Sequence, residues 1–169
     1  MSADARGQSV DFRIDPAGPG DARVVAVMVG ELLEEIMVTS GVRAFTFDLE
    51  RTVRRAKEFL SRGVYFVYVA RLPDGREAGV VAVSESHALY AGGDFGTVVE
   101  LYVRPPYRSH GVGKMLLDRA KALGAAKGWT RLEVTTPPLP EFERTLLFYE
   151  KEEFGITGGR KLKYSLQGS

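Results

Sequence analysis

The sequence predicts an α+β domain in which a mixed, mostly antiparallel sheet carries helices on both faces. Apolar residues recur with strand and helix periods in the order β-α-α-β-β-β-α-β-α-β. A tight-turn signal between the second and third strands indicates an antiparallel pair. A helix-length segment joins the fourth and fifth strands, so the right-handed crossover rule makes those two strands parallel. A chain of 169 residues suits one domain, which we expect over residues 10–166.

The first third of the chain predicts one strand and two helices. "VDFRI" (10–14) alternates apolar with polar residues, as a half-buried strand does. Asp21 is placed to cap a helix over residues 22–41. Asp48 is placed to cap a second, shorter helix that ends at Gly63. Both helices precede the main run of strands.

The middle of the chain predicts three strands. "VYFVYVAR" (64–71) is dense in β-branched and aromatic residues, and "PDG" (73–75) is the tight turn that follows it. "EAGVVAVSES" (77–86) returns as the second strand of the hairpin. A glycine-containing connection, residues 87–96, leads to the strand "TVVELYV" (97–103).

The last third of the chain predicts two more helices and the remaining strands. "KMLLDRAKALGAAKG" (114–128) reads as a helix and "TRLEVTT" (130–136) as a strand. "EFERTLLFYEKEEF" (141–154) reads as a second helix. The chain closes with "GITGGRKLKYSL" (155–166), which predicts one strand or a strand pair.

Composition limits the class of protein. Twenty-three Lys and Arg residues against 22 Asp and Glu leave a net charge of +1, so neither nucleic acid nor a membrane is an expected partner. The lack of cysteine excludes disulfides and thiolate chemistry and fits a reducing compartment. Residues 1–9 are small and polar without a signal-peptide core, so we expect a disordered terminus and a cytoplasmic protein. His87 and His110 lack metal-ligand spacing, so we expect no metal site.

A Gly-x-Gly-Lys sequence within "YRSHGVGKM" (107–115) precedes the predicted third helix. It does not match an NTP-binding P-loop, because Arg108 replaces the first glycine of that motif and Met115 replaces its Ser or Thr. A dinucleotide-binding fingerprint fails at Leu116. The remaining pattern is a strand, a turn and a helix whose first-turn amides can bind a phosphate, flanked by Arg108 and Lys114. A plain glycine turn into a helix is the alternative.

Two segments resemble the GNAT family of N-acetyltransferases. "VVELYVRPPYRSHGVGKMLLDRAKALGAAKGW" (98–129) is similar to the coenzyme A-binding segment of that family, with its R/Q-x-x-G-x-G/A signature. "LLFYEKEEFGITG" (146–158) is similar to a second family segment, A-x-x-F-Y-E-K-x-G-F. The order of elements also agrees, so the resemblance spans about residues 10–166. One departure is Glu153, which stands where the family has glycine.

The resemblance implies acetyl-CoA as cosubstrate, without a metal, between parallel strands that splay apart. The pantetheine arm would bond to the backbone edge formed by Leu101, Tyr102 and Val103, opposite residues 132–135. The pyrophosphate would be bound mainly by main-chain amides, because residues 111 and 113 lack a Cβ and let a phosphate approach. The remaining implied coenzyme-binding residues are Arg108, His110, Gly111, Val112, Gly113, Lys114 and, in the second segment, Phe148.

The same resemblance implies direct transfer of the acetyl group to a primary amine. Tyr149 would donate a proton to the departing sulfur, although helix spacing alone favours a packed aromatic. Glu100 would act as general base or position a water. Strand alternation predicts that Glu100 shares a face with Val98 and Tyr102. A carboxylate in so apolar a strand should line a wet site or form a salt bridge.

The acceptor amine and two other functions stay open at this stage. Small molecules, peptides and proteins are all suitable acceptors, and the resemblance allows a homodimer through the terminal strand. A non-catalytic acyl-CoA-binding sensor or interaction module on the same fold is one alternative, and a magnesium-dependent kinase is another. The side chains that could contact an acceptor, or could equally be core aromatics and solvated charges, are Phe45, Phe47, Asp48, Glu85, Tyr90, Asp94 and Phe95.

Overall fold

The computed structural model describes residues 10–167, so the expected disorder of residues 1–9 lies outside the described range. The chain divides after Thr135 into two compact units, and each is described by itself. The strands are β1 Arg13–Pro16, β2 Tyr65–Arg71, β3 Glu77–Ala88, β4 Gly93–Val103 and β5 Leu132–Val134. The α-helices are α1 Ala22–Ser40, α2 Leu49–Arg62, α3 Val112–Lys127 and α4 Glu143–Lys151.

The first unit contains a five-stranded mixed sheet. Its strands lie in the order β1-β2-β3-β4-β5, so each strand neighbours the next one in sequence. The first three pairings are antiparallel, and β4 pairs with β5 in parallel. The predicted α+β class is therefore confirmed, together with the parallel pair on either side of a crossover helix.

Helices cover both faces of this sheet, as the sequence predicts. On one face, α1 contributes to a buried core cluster with the inward side chains of β2, β3 and β4; the cluster is Val25, Met28, Val67, Val69, Val80, Ala82 and Tyr102. On the other face, Leu116 of α3 lies against Gly79, which alternates with Val80 along β3. Glu100, described below, lies on the α1 face.

A glycine at the junction of β4 and β5 makes room for a tryptophan. A Cβ on Gly96 would lie 2.6 Å from Leu132 Cδ2 and would also meet the buried ring of Trp129. We expect Gly96→Ala to lower the free energy of unfolding by about 1–3 kcal/mol, because the added methyl overfills a packed junction. Urea denaturation measures this, with Gly18→Ala as control, since a Cβ there meets nothing within 4 Å. Equal stability of the two variants would mean that the tryptophan moves aside without cost.

Several boundaries differ from the predictions. Strand β3 extends to Ala88 and strand β4 begins at Gly93, so most of the predicted connection 87–96 is strand. Asp48 caps α2 as predicted, because its Oδ1 accepts from the Arg51 amide at 2.7 Å. Asp21 makes no side-chain cap to α1 and instead accepts from Gly18 and Arg71. The cap prediction for Asp21 is wrong because these partners occupy both of its oxygens.

The second unit contains α4 and the segment that follows it. The helix ends at Lys151, and Glu153 adopts a left-handed φ of 71° where a glycine would be unstrained. No strand forms between residues 155 and 167, so the predicted closing strand is wrong. Leu162 and Tyr164 are 92% and 86% exposed. An alternating pattern gives a segment strand preference, but a strand also needs a hydrogen-bonding partner.

Candidate functional site

A β-bulge in β4 decides where Glu100 points. Ala82 lies opposite Glu100 and Val83 lies opposite Val98, so Val99 is an extra residue on β4. Ala82 and Val83 are neighbours and face opposite sides of the sheet, so Glu100 and Val98 also face opposite sides. The prediction that these two share a face is wrong, because simple alternation assumes an unbroken register.

Glu100 has a hydrogen-bonding partner on a different strand. The Tyr65 hydroxyl of β2 donates to Glu100 Oε2 across the α1 face of the sheet. Tyr102 shares this face, because its partner Val80 lies two residues from Ala82. Burial raises the pKa of Glu100 to about 7. A carboxylate with this pKa can accept and release a proton near neutral pH, as general bases do.

The predicted open edge of β4 begins immediately after the bulge. Pairing between β4 and β5 covers Gly96 to Val98, opposite Leu132 to Val134. The predicted edge residues Leu101, Tyr102 and Val103 therefore lie beyond the last pair with β5. In this half of β4 the side chain of Tyr102 is buried in the core and those of Leu101 and Val103 are half-buried, and the backbone has no β5 residue beside it.

The glycine turn and α3 follow directly from this edge. Gly111 has a φ of 79° and forms the N-terminal boundary of α3, which begins at Val112. The helix thus starts two residues earlier than predicted and includes Gly113 in its first turn. Amides in the first turn of a helix have no earlier helical carbonyl to bond, and together they carry a partial positive charge. This geometry suits a phosphate.

The Arg108 side chain faces α1 in this structure. Its Nε donates to the Val103 carbonyl at 2.8 Å, and its two terminal nitrogens lie 2.8 and 2.6 Å from the Glu35 carboxylate oxygens. Glu31 lies one helical turn before Glu35 on α1. Arg104 makes a matching bidentate pair with it, and both donor–acceptor distances are 3.0 Å. Hydrogen bonding to Glu35 raises the pKa of Arg108 further. These two ion pairs connect α1 to the segment between β4 and α3.

The other two predicted side chains of the turn point outwards. His110 is exposed, and its Nδ1 lies 2.7 Å from the Arg108 carbonyl oxygen. Lys114 Nζ lies 3.0 Å from Asp118 Oδ2, one turn along the same helix. An exposed i,i+4 pair of this kind contributes only a few tenths of a kcal/mol.

Tyr149 and Phe148 lie on α4 in the second unit. Tyr149 is buried, and its ring packs edge-on against Phe148 and Phe154 at centroid distances of 5.2 and 5.4 Å. Burial raises the pKa of the Tyr149 phenol well above its usual range. The phenol thus keeps its proton at neutral pH, as a proton donor must.

Two of the acidic candidates for acceptor contact, Glu85 and Asp94, have structural roles on the hairpin. Glu85 accepts from Trp129 Nε1 at 2.5 Å, and Asp94 Oδ1 lies 2.6 Å from His87 Nδ1. The ligand atoms of Glu85, His87 and Asp94 lie within 4.8 Å of one another. Glu85 faces the α3 side of the sheet, because its position on β3 alternates with that of Ala82. This cluster is therefore not part of the Glu100 site.

Comparison with known proteins identifies a family. A family model described as an acetyltransferase (GNAT) domain matches residues 61–155, which is more than half of the chain. No curated protein matches the chain in sequence. Within residues 10–167, no helix is both long enough and apolar enough to cross a membrane.

Solved structures share the fold at low sequence identity. The aminoglycoside N-acetyltransferase AAC(6')-Iy in complex with CoA superposes with a TM-score of 0.76 at 16% identity, covering 95% of this chain and 99% of that one. A predicted acetyltransferase with acetyl-CoA from Clostridium acetobutylicum gives 0.72 at 15%, covering 92% and 97%. A ribosomal-protein-alanine N-acetyltransferase from Brucella melitensis biovar Abortus 2308 gives 0.65 at 20%, covering 94% and 100%.

Proposed function

The chain belongs to the GNAT family of acetyltransferases, and from that premise we propose that it transfers an acetyl group from acetyl-CoA directly to a primary amine. The observation that carries the proposal is the arrangement along one strand. From its bulge onwards, β4 presents a carboxylate at Glu100, then a backbone edge beyond its pairing with β5, and then the glycine turn into α3. A base, a place for an extended thioester arm and a phosphate site thus follow one another in sequence.

In this proposal the coenzyme is bound mostly by backbone groups. The pantetheine arm bonds to the β4 edge at Leu101 and Val103, as an added strand would. The pyrophosphate lies at the first turn of α3, where Gly111 and Gly113 allow close approach and Lys114 adds positive charge. His110 and Phe148 contact the rest of the coenzyme. No metal is required, because the helix amides and cationic side chains balance the phosphate charge.

The proposed chemistry balances without a covalent enzyme intermediate. Glu100 removes a proton from the acceptor ammonium, and the neutral amine attacks the thioester carbonyl. Collapse of the tetrahedral intermediate breaks the carbon–sulfur bond, and Tyr149 donates its proton to the departing thiolate. The second proton of the amine nitrogen is lost as the amide forms, and it restores the Tyr149 phenol through solvent. Much of the rate enhancement comes from holding amine and thioester together in the correct orientation.

The acceptor in this proposal is a small molecule or a peptide that carries a primary amine. Two structural neighbours are named for aminoglycoside and ribosomal-protein-alanine acetylation, so both classes of amine belong in the substrate panel. The absence of cysteine supports placing the enzyme in the cytoplasm. A homodimer stays a prediction from the family resemblance.

A thiol-release assay tests the proposed function. Acetyl-CoA is incubated with the protein and with a panel of aminoglycosides, polyamines, amino acids and peptides, and calorimetry measures coenzyme binding in parallel. We expect binding and amine-dependent release of CoA. Binding without release for every amine would favour the non-catalytic acyl-CoA-binding module, and absence of binding would refute the proposal.

The ion pair between Arg108 and Glu35 predicts a measurable effect on coenzyme affinity. If Arg108 turns to the pyrophosphate, it must first leave Glu35, so Glu35→Gln should tighten acetyl-CoA binding by roughly five-fold, equivalent to about 1 kcal/mol. Calorimetry measures the dissociation constant, with Glu34→Gln on the same helix as a control of equal charge change. Unchanged or weaker binding by Glu35→Gln would show that Arg108 keeps its contact with α1 in the complex.

A further inference from the structure

Tyr65 reaches Glu100 across an intervening strand. Tyr65 lies on β2 opposite Ser84, and Glu100 lies on β4 opposite Ala82. These two β3 residues are small and lie on the α1 face, so they leave a path along which the tyrosine side chain extends to the carboxylate. The hydroxyl of Tyr65 donates to Glu100 Oε2 at the end of this path.

The ring of Tyr65 is itself held in place. Its centroid lies 5.7 Å from that of Phe59 on α2, and the ring packs against the core cluster under α1. A tyrosine fixed by packing loses little further side-chain entropy when its hydroxyl bonds to a neighbour. The hydroxyl is therefore a preorganised donor for Glu100.

We propose that Tyr65 is a positioning residue of the active site, whose hydroxyl orients the Glu100 carboxylate and stabilises its charged form. The inference rests on the proposed role of Glu100 as general base. A hydrogen bond donated to a carboxylate favours the ionised state, which opposes the effect of burial. Tyr65 thus favours the ionised form of the buried carboxylate and holds it in one orientation.

Other ionisable groups on this face are engaged elsewhere. The groups from α1, β4 and the following segment are Glu31, Glu35, Tyr102, Arg104 and Arg108. The two glutamates form the bidentate pairs with the two arginines described above. Burial, followed by the two glutamates, raises the pKa of the Tyr102 phenol. From β3 and α2, the facing residues are Ala82, Ser84 and Phe59, which do not titrate.

Replacement of Tyr65 by phenylalanine isolates the hydroxyl, because the ring and its packing on Phe59 are retained. We expect Tyr65→Phe to raise the pKa of the Glu100 carboxyl by roughly one unit. The acid limb of the pH profile of kcat/KM should move upwards by the same amount, so that activity at pH 6.5 falls about ten-fold. Tyr68→Phe is the matched control, since Tyr68 lies on the same strand and faces the opposite side of the sheet.

Carbon-13 NMR of the glutamate carboxyls, with the Glu100 signal assigned from Glu100→Gln, gives a readout independent of turnover. If the Glu100 titration in Tyr65→Phe matches that of the wild type, the inference about Tyr65 is overturned, whatever the enzyme acetylates. If the Glu100 titration moves but the activity profile does not follow it, the base role of Glu100 is overturned and the contact stands. Movement of both together is the expected result.

Discussion

Replacing Tyr149 with phenylalanine is expected to lower kcat by roughly 10²–10⁴-fold while the dissociation constant for acetyl-CoA stays the same. The phenol is buried and its pKa is raised by that burial, so it remains protonated over the whole working pH range. The substitution keeps the aromatic packing on Phe148 and Phe154 and removes only the proton donor. The loss should therefore fall on the chemical step.

The measurement is steady-state turnover, with calorimetry for the coenzyme. Tyr164→Phe is a suitable control because Tyr164 is an exposed phenol of the same unit. An alternative acceptor with a less basic amine should not restore the rate, since the missing proton is needed by the thiolate. Turnover equal to that of the wild type would remove Tyr149 from the mechanism and leave it as a packed aromatic.

Glu100→Gln is expected to reduce kcat/KM about 100-fold at pH 7 and to abolish the acid limb of its pH profile. The same substitution should raise the free energy of unfolding relative to the wild type at high pH. Folding raises the pKa of Glu100 from 4.5 to about 7, so the folded state binds this proton more tightly than the unfolded state. The resulting stabilisation is complete below pH 4.5 and is lost as the pH rises through 7.

The size of the lost stabilisation follows from the shift in the Glu100 pKa. At about 1.4 kcal/mol for each pKa unit, it is on the order of 3 kcal/mol between pH 4.5 and pH 8. Glutamine does not titrate, so Glu100→Gln should be more stable relative to the wild type at pH 8 than at pH 4.5. Urea denaturation at both pH values measures the difference, with Glu34→Gln as the control. If the difference in free energy of unfolding between variant and wild type is the same at both pH values, the result would contradict a buried, titrating Glu100.

Local features of the site could be predicted from the sequence, because they depend on neighbouring residues. The turn at Gly111 and the start of α3 are set by the backbone freedom of glycine and by the helix that follows, so their pattern is readable within ten residues. Glu100 was identifiable because a carboxylate stands out in an apolar strand. Glu153 stood out in the sequence only as a departure from the glycine that the family has at this position, and this residue adopts a left-handed conformation.

Contacts between distant residues could not be predicted. Tyr65 is 35 residues from Glu100, and Glu35 is 73 residues from Arg108, so both contacts depend on how strands and helices pack. The bulge at Val99 also escapes prediction, because a strand with one extra residue has the same composition as a regular one. The closing strand was predicted wrongly for a related reason: its alternating pattern says nothing about a partner.

The ion pairs between α1 and the loop before α3 link coenzyme binding thermodynamically to the attachment of α1. If the pyrophosphate recruits Arg108 from Glu35, coenzyme binding weakens the attachment of α1, and any ligand that shifts α1 must change coenzyme affinity by the same free energy. A single competition for one guanidinium group would then couple the affinities of the two substrates.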